Sequence, residues 1–201
     1  MNRENRRRAA TTAIAGLLTV LAFALAACGS DSGGGSDPGA DAPDYGPAVA
    51  KAPEKLKSLY AQGGVLAPGG LDAFSDQLEA VRGYPVVVNN WASWCGPCRT
   101  EWPWFQDAAK ANLDRVAFIG VDGQDEDAAA KTFLEGHPVP YPSFADPDKG
   151  LGNAVGATLV GGFPNTLYFD RSGELVYTHQ GVYENQAALE ADIRKYALGE
   201  S

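Results

Sequence analysis

Val86-Val87-Val88-Asn89-Asn90-Trp91-Ala92-Ser93-Trp94-Cys95-Gly96-Pro97-Cys98-Arg99 is a β-branched run that passes into two cysteines separated by Gly-Pro. Three consecutive valines suit a strand buried on both faces. A helix is expected from the cysteines to about Asn112, with a kink at Pro103. The cysteine pair therefore follows a buried strand and opens a helix. Pro97 fits the first helical turn, where its missing N–H is not needed. A cysteine at a helix N-terminus meets unsatisfied backbone N–H groups and the positive end of the helix dipole. Both favour the thiolate, which is the nucleophile of disulfide exchange. Cys95 is expected to be the exposed attacking sulfur, and Cys98, one turn in, the more buried resolving one.

Outward from this run the pattern stays regular. Asp72 to Arg82 reads as a helix with Phe74, Leu78 and Val81 on one face, ended by Gly83. Val116 to Val121 reads as a second buried strand, Asp125 to Gly136 as a helix and Pro147 to Val155 as a short helix. Thr166-Leu167-Tyr168-Phe169 and Leu175-Val176-Tyr177-Thr178 flank a turn at Asp170-Arg171-Ser172-Gly173, which predicts an antiparallel hairpin. Asn185 to Leu198 closes the chain as a helix, and Ala48 to Gln62 gives a short one with Leu56, Leu59 and Tyr60 on one side. The order βαβα then ββα predicts an α/β fold, a central mixed sheet with helices on both faces.

The 201-residue chain begins differently. Arg3, Arg6, Arg7 and Arg8 precede an uncharged apolar stretch from Ala9 to Ala27, the layout of a secretory signal. It ends in Leu25-Ala26-Ala27-Cys28-Gly29, which resembles the lipobox of bacterial lipoproteins. That resemblance implies lipidation of Cys28 and an anchor on the outer face of the cell membrane, held by several acyl chains where one would be marginal. An uncleaved transmembrane segment and an ordinary signal peptide are the alternatives; the stretch is near the lower length for spanning, about 20 residues. Residues 29–47, rich in Gly, Ser, Asp and Pro, read as a flexible tether. The expected organisation is signal peptide 1–27, lipidated cysteine and tether 28–47, N-terminal extension 48–70 and folded domain 71–201. Removing residues 1–27 leaves twelve basic and twenty-four acidic side chains, which argues against nucleic-acid binding.

The chain has three cysteines. With Cys28 lipidated, Cys95 and Cys98 remain, in a compartment where disulfides persist. A bridge across three residues stabilises little, so chemistry explains it better than stapling. Two metal readings compete. A Cys-x-x-Cys can be half of a zinc site, but His137 and His179 do not stand in a paired spacing, and they read as ordinary loop and strand residues. A soft thiolate pair can also hold copper(I). No metal and no cofactor is expected.

The chain resembles the thioredoxin superfamily over roughly residues 71–199, and within it the membrane-tethered branch that includes TlpA, ResA and CcmG (also called DsbE). The shared features are the strand leading into Cys95, Glu101-Trp102-Pro103, Gly162-Phe163-Pro164-Asn165-Thr166, and the turn Asp170-Arg171-Ser172-Gly173. Gly120-Val121-Asp122 to Tyr141-Pro142 sits where the branch carries an extra insert. The resemblance implies a thioredoxin fold with a sheet of about four to five strands. It implies a cis Phe163–Pro164 bond lying against the cysteines, with the backbone of Phe163 presented to an extended substrate. It implies that Glu101 tunes the cysteines and passes protons; a solvated helix acid is the alternative reading. Asn89 stands where thioredoxins proper carry a buried aspartate, which points to Glu101 as the base. Trp94, Gly96, Pro97 and Phe163 are the candidate substrate contacts. The implied activity is reduction of disulfides in exported proteins, apocytochrome c among them, with rereduction by a membrane electron donor of the CcdA kind. Donation of a disulfide is the opposite direction open to the same motif.

Overall fold

The computed structural model describes residues 43–200; Cys28, the signal and most of the tether lie outside the described residues. The elements in chain order are α1 (Gly46–Val49), α2 (Glu54–Tyr60), β1 (Leu66–Ala67), α3 (Gly70–Ala80), β2 (Val86–Trp91), α4 (Gly96–Asn112), β3 (Ala117–Gly123) and α5 (Asp127–Gly136). They continue with β4 (Ser143–Asp146), α6 (Leu151–Val155), β5 (Asn165–Phe169), β6 (Leu175–Gln180) and α7 (Gln186–Asp192), and a π-helical turn at Ile193–Ala197 follows. The strands form one mixed sheet in the order β1-β4-β3-β2-β5-β6. β2 is central, parallel to β3 and antiparallel to β5, and all six of its residues are buried, as its valine run predicts. α4 packs with α7 and α3 with α6, which makes two helical groups around the sheet.

The sheet has six strands, more than the four or five expected. The two unforeseen strands are β1, with two residues, and β4, Ser-Phe-Ala-Asp; neither carries a β-branched run. With β4 in place, the stretch expected as an insert is the end of β3 plus α5, the crossover to parallel β4. Two helix readings also change. Pro53 is the N-cap of α2, so α1 and α2 are separate helices where one from Ala48 was expected; lacking an N–H, proline suits a helix start better than its interior. α6 starts at Leu151 and not at Pro147, since the Asp146 carboxylate accepts from Gly150 N–H at 2.7 Å and Leu151 N–H at 3.0 Å. α4 ends at Asn112 as expected, with Pro103 inside it.

Leu56, Leu59 and Tyr60 of α2 are buried in the same core as the sheet. The Tyr60 hydroxyl donates to Val116 O and accepts from Phe118 N–H at 3.3 Å, which fixes α2 to the start of β3. Under the end of β2 three rings pack together: Trp91 lies 4.8 Å from Trp102 and 5.2 Å from Phe133, with Trp102 to Phe133 at 4.8 Å. Both indoles satisfy their N–H groups, Trp91 on Ser143 Oγ at 3.2 Å and Trp102 on His137 O at 2.9 Å. Gly120 makes room for this arrangement: a Cβ there would lie 2.1 Å from Ser143 Oγ. This cluster supports the loop that leaves β2 toward Cys95.

Candidate active site

Cys95 is the N-cap residue of α4, in extended backbone conformation, and its Sγ accepts from Cys98 N–H at 3.1 Å. Cap side chains accept from the N–H two or three residues into a helix, and this sulfur does the same. Gly96 and Pro97 occupy the first two helical positions and are exposed. Cys95 and Cys98 are joined as a disulfide, with Cα atoms 5.3 Å apart. The expected difference in exposure is not there: Cys95 is 4% exposed and Cys98 3%. Two bonded sulfurs share one environment. The asymmetry lies instead in hydrogen bonding, since only Cys95 occupies the cap.

Phe163–Pro164 is a cis peptide bond. It directly precedes β5, whose first residue Asn165 pairs in register with Asn90 of β2. The bond therefore lies at the end of the sheet from which β2 runs to the cysteines. Gly181 N–H donates to Pro164 O at 3.0 Å and Asn165 Nδ2 to Gly162 O at 2.6 Å, which hold the loop on both sides. A cavity of about 440 Å³ opens beside it, lined among others by Asn90, Lys149, Leu159, Phe163 and Asn165. The Phe163 ring meets Trp94 edge-on at 5.7 Å. It also rests on Gly123, where a Cβ would lie 2.2 Å from its Cζ. Trp94 is 60% exposed and donates from Nε1 to Gln124 O at 3.2 Å. Trp94 and Phe163, placed far apart in the sequence, thus form one aromatic rim, whereas Trp91 is wholly core.

Glu101 is not a solvated helix acid. It is 1% exposed, Oε1 accepts from Tyr183 N–H, and Oε2 has no partner. Burial, opposed in part by that hydrogen bond, raises its pKa to about 7. It stands three residues after Cys98 on the same helix, so the two share a face. His137 stacks on Phe133, and His179 stacks on Tyr183 with Nδ1 3.5 Å from Asp192 Oδ2.

The sequence reading missed Ser93, Gly123 and Asp125. Ser93 donates its N–H and its Oγ to Asp125, in the turn after β3. The signals present in the sequence were weak: a glycine and acids at the end of an otherwise apolar strand. Among the described residues no group of three or more His, Cys, Asp or Glu is arranged to hold a metal, and no helix is long and apolar enough to cross a membrane.

The Redoxin family's profile matches residues 69–193. A thiol:disulfide interchange protein DsbE homolog from Paracoccus denitrificans is 36% identical over 96 residues, 47% of this chain and 50% of that protein. The chain spans about half to three-fifths of the length of the curated relatives it matches. A solved structure of a DsbE-type thiol:disulfide interchange protein from Chlorobium tepidum has a TM-score of 0.51 and 30% identity, covering 60% of this chain and 84% of that one. The exposed lipoprotein thioredoxin Etrx1 from Streptococcus pneumoniae has a TM-score of 0.50 and 25% identity, covering 59% and 89%. A cis-proline loop beside a cysteine pair at a helix start, on a mixed sheet, is the thioredoxin arrangement, and the chain belongs to the Redoxin family.

Proposed function

We propose that the chain is an extracytoplasmic thiol–disulfide oxidoreductase that reduces disulfides in exported proteins. The observation that carries this reading is Cys95 capping α4, with its sulfur on a backbone N–H and a cis-proline loop at the same end of the sheet. In the reduced state that N–H and the helix dipole favour a Cys95 thiolate. The thiolate attacks one sulfur of a substrate disulfide. The substrate's other sulfur leaves as a thiolate and takes a proton. Cys98 then loses its proton and attacks Cys95 Sγ, so the first substrate sulfur leaves and is protonated in turn. Two electrons pass to the substrate with two protons, one from Cys98 and one that Cys95 released to solvent on ionising, and Cys95 and Cys98 end as a disulfide.

Glu101, with a pKa near neutrality and one turn beyond Cys98, is suited to take the Cys98 proton. Pro164 and the Phe163 backbone would position an extended substrate segment. Trp94, Gly96 and Pro97 would form the contact surface over the sulfurs, and the cavity beside Phe163 would receive a substrate side chain. The branch resemblance is the ground for apocytochrome c among the substrates and for a CcdA-like membrane electron donor; the DsbE-type relative supports thiol:disulfide interchange. Lipidation of Cys28 would tether the domain outside the cell membrane; the relative from Streptococcus pneumoniae is itself an exposed lipoprotein.

Direction is tested by the midpoint potential, with insulin reduction as the activity. A value near the thioredoxin range, about −270 mV, supports reduction; one near −120 mV, as in strong oxidants, overturns it. Substrates are tested by trapping: Cys98→Ala leaves mixed disulfides on Cys95, and the captured proteins name the pathway. Failure to capture exported cysteine-containing proteins refutes the assigned partners.

A further inference from the structure

Behind the loop that carries Cys95 lie two aspartates that the disulfide exchange above does not use. Asp125 takes two hydrogen bonds from one residue: Ser93 N–H donates to Oδ2 at 2.5 Å and Ser93 Oγ to Oδ1 at 2.9 Å. Ser93 is two residues before Cys95. The neighbouring backbone adds a third tie, from Trp94 Nε1 to Gln124 O, and Gln124 is held in left-handed conformation with φ 59°. Asp122 of β3 lies opposite Trp91 in register and is 2% exposed. Its Oδ1 has no hydrogen-bond partner, and the carboxyl of Asp125 stands close enough to be one cause of its raised pKa.

Two neighbouring buried carboxyls are disfavoured as a pair of charges, and a proton on one lets it donate to the other. Asp125, with two donors from Ser93 aimed at it, is the acceptor of the pair. Asp122, buried with an orphan oxygen, is the acid. Burial first, then the Asp125 hydrogen bond and the charges of Asp125 and Asp127, push Asp122 up to about 8. Across the sheet, Asp146 of β4 pairs in register with Gly123, and its carboxylate is taken by Gly150 and Leu151 N–H. Lys149 lies over the Phe163 ring, 5.7 Å from its centre. Among the described residues no Lys, Arg or His forms an ion pair with Asp122.

We infer that Asp122 is a positioning residue for the Cys95–Cys98 couple: its carboxyl donates to Asp125, which grips Ser93 and so holds the loop that delivers Cys95 to the start of α4. This rests on the proposed redox function. When Asp122 ionises, the donated hydrogen bond is lost and a second negative charge stands behind the loop. That charge disfavours a Cys95 thiolate. The thiolate belongs to the reduced state, so ionisation of Asp122 shifts the couple toward the disulfide and lowers its potential.

The test is the midpoint potential of the full chain from pH 6 to pH 9.5, in wild type, Asp122→Asn and Asp125→Asn. Asn at position 122 still donates to Asp125 but never ionises. Wild type and Asp122→Asn should coincide at pH 6. Above about pH 8 the wild-type potential should fall below the variant's by about threefold in the reduction equilibrium, or ~14 mV. In Asp125→Asn the break should move to lower pH, because the charge that raises Asp122 is gone. Parallel curves for wild type and Asp122→Asn, or an unmoved break in Asp125→Asn, overturn the inference while leaving the redox function intact. Absence of any reversible midpoint in wild type overturns both.

Discussion

Replacing Glu101 by Gln should change how stability depends on pH, by an amount the structure sets. The carboxyl is buried, accepts one hydrogen bond from Tyr183 N–H and leaves Oε2 without a partner. Its pKa rises from 4.5 to about 7, chiefly through burial. Between these values the folded chain holds a proton that the unfolded chain has lost. Stability from this group is therefore complete below pH 4.5, declines as pH rises, and levels off above 7. The interval is worth ~3 kcal/mol at 1.36 kcal/mol per pH unit. About 2.5 kcal/mol of it falls between pH 5 and pH 9. Gln keeps the acceptor for Tyr183 N–H and cannot ionise. Any cost of packing its amide is the same at both pH values, so it cancels in the comparison. The assay is urea unfolding of the oxidised protein at pH 5 and pH 9 by tryptophan fluorescence. Relative to wild type, the variant should gain ~2.5 kcal/mol on going from pH 5 to pH 9. Equal pH dependence in the two proteins would refute a buried, weakly compensated Glu101. In the reduced protein, resolution of the mixed disulfide by Cys98 should lose its pH limb near 7 in the same variant.

Trp94→Ala should leave stability within about 1 kcal/mol, because the side chain is exposed and held by one hydrogen bond; KM in insulin reduction should rise several-fold, and an unchanged KM refutes Trp94 as a substrate contact. Phe133→Ala removes a ring packed on both Trp91 and Trp102, and should cost ~3–5 kcal/mol in a thermal melt. Asn185→Ala removes the cap of α7, whose Oδ1 accepts from Ala188 N–H at 3.1 Å, and should cost ~1 kcal/mol by urea midpoint.

What was legible in the sequence followed from local chemistry. Val86–Val88 announced a central strand because a strand buried on both faces has no polar alternation to obscure it. Asp170 announced its turn, since its Oδ1 takes the N–H groups of Ser172 and Glu174. Cys95, Cys98, Glu101 and Pro164 lie within or beside recognisable motifs. β1 and β4 were illegible because their two and four residues are strands only through pairing with distant segments. Ser93 and Asp125 were illegible for the same reason: 32 residues separate them, and their contact exists only once β2 and β3 lie side by side. The burial of Glu101 was illegible from spacing because its cover comes from Tyr183, 82 residues on.

Exposure cannot decide which cysteine attacks, because both are equally buried in the disulfide. On the proposed mechanism, helix position assigns that role to Cys95. Cys95 sits where backbone N–H groups point outward, and one of them already rests on its sulfur. Cys98 supplies that N–H and lies inside the first turn, so its own sulfur gains less from the dipole. The attacking thiol is thus activated by the backbone, and on the proposed mechanism the resolving thiol needs a side-chain base. Glu101 shares the face of Cys98 and has a pKa within reach of a thiol's, which an exposed glutamate lacks. The acids behind the loop must not undo this. Asp125 has both oxygens committed to Ser93, and on the inference above a proton on Asp122 keeps a negative charge away from the Cys95 thiolate. Two buried carboxyls near one thiol are compatible with its activation because one stands beside the other cysteine and the second is neutral at the working pH.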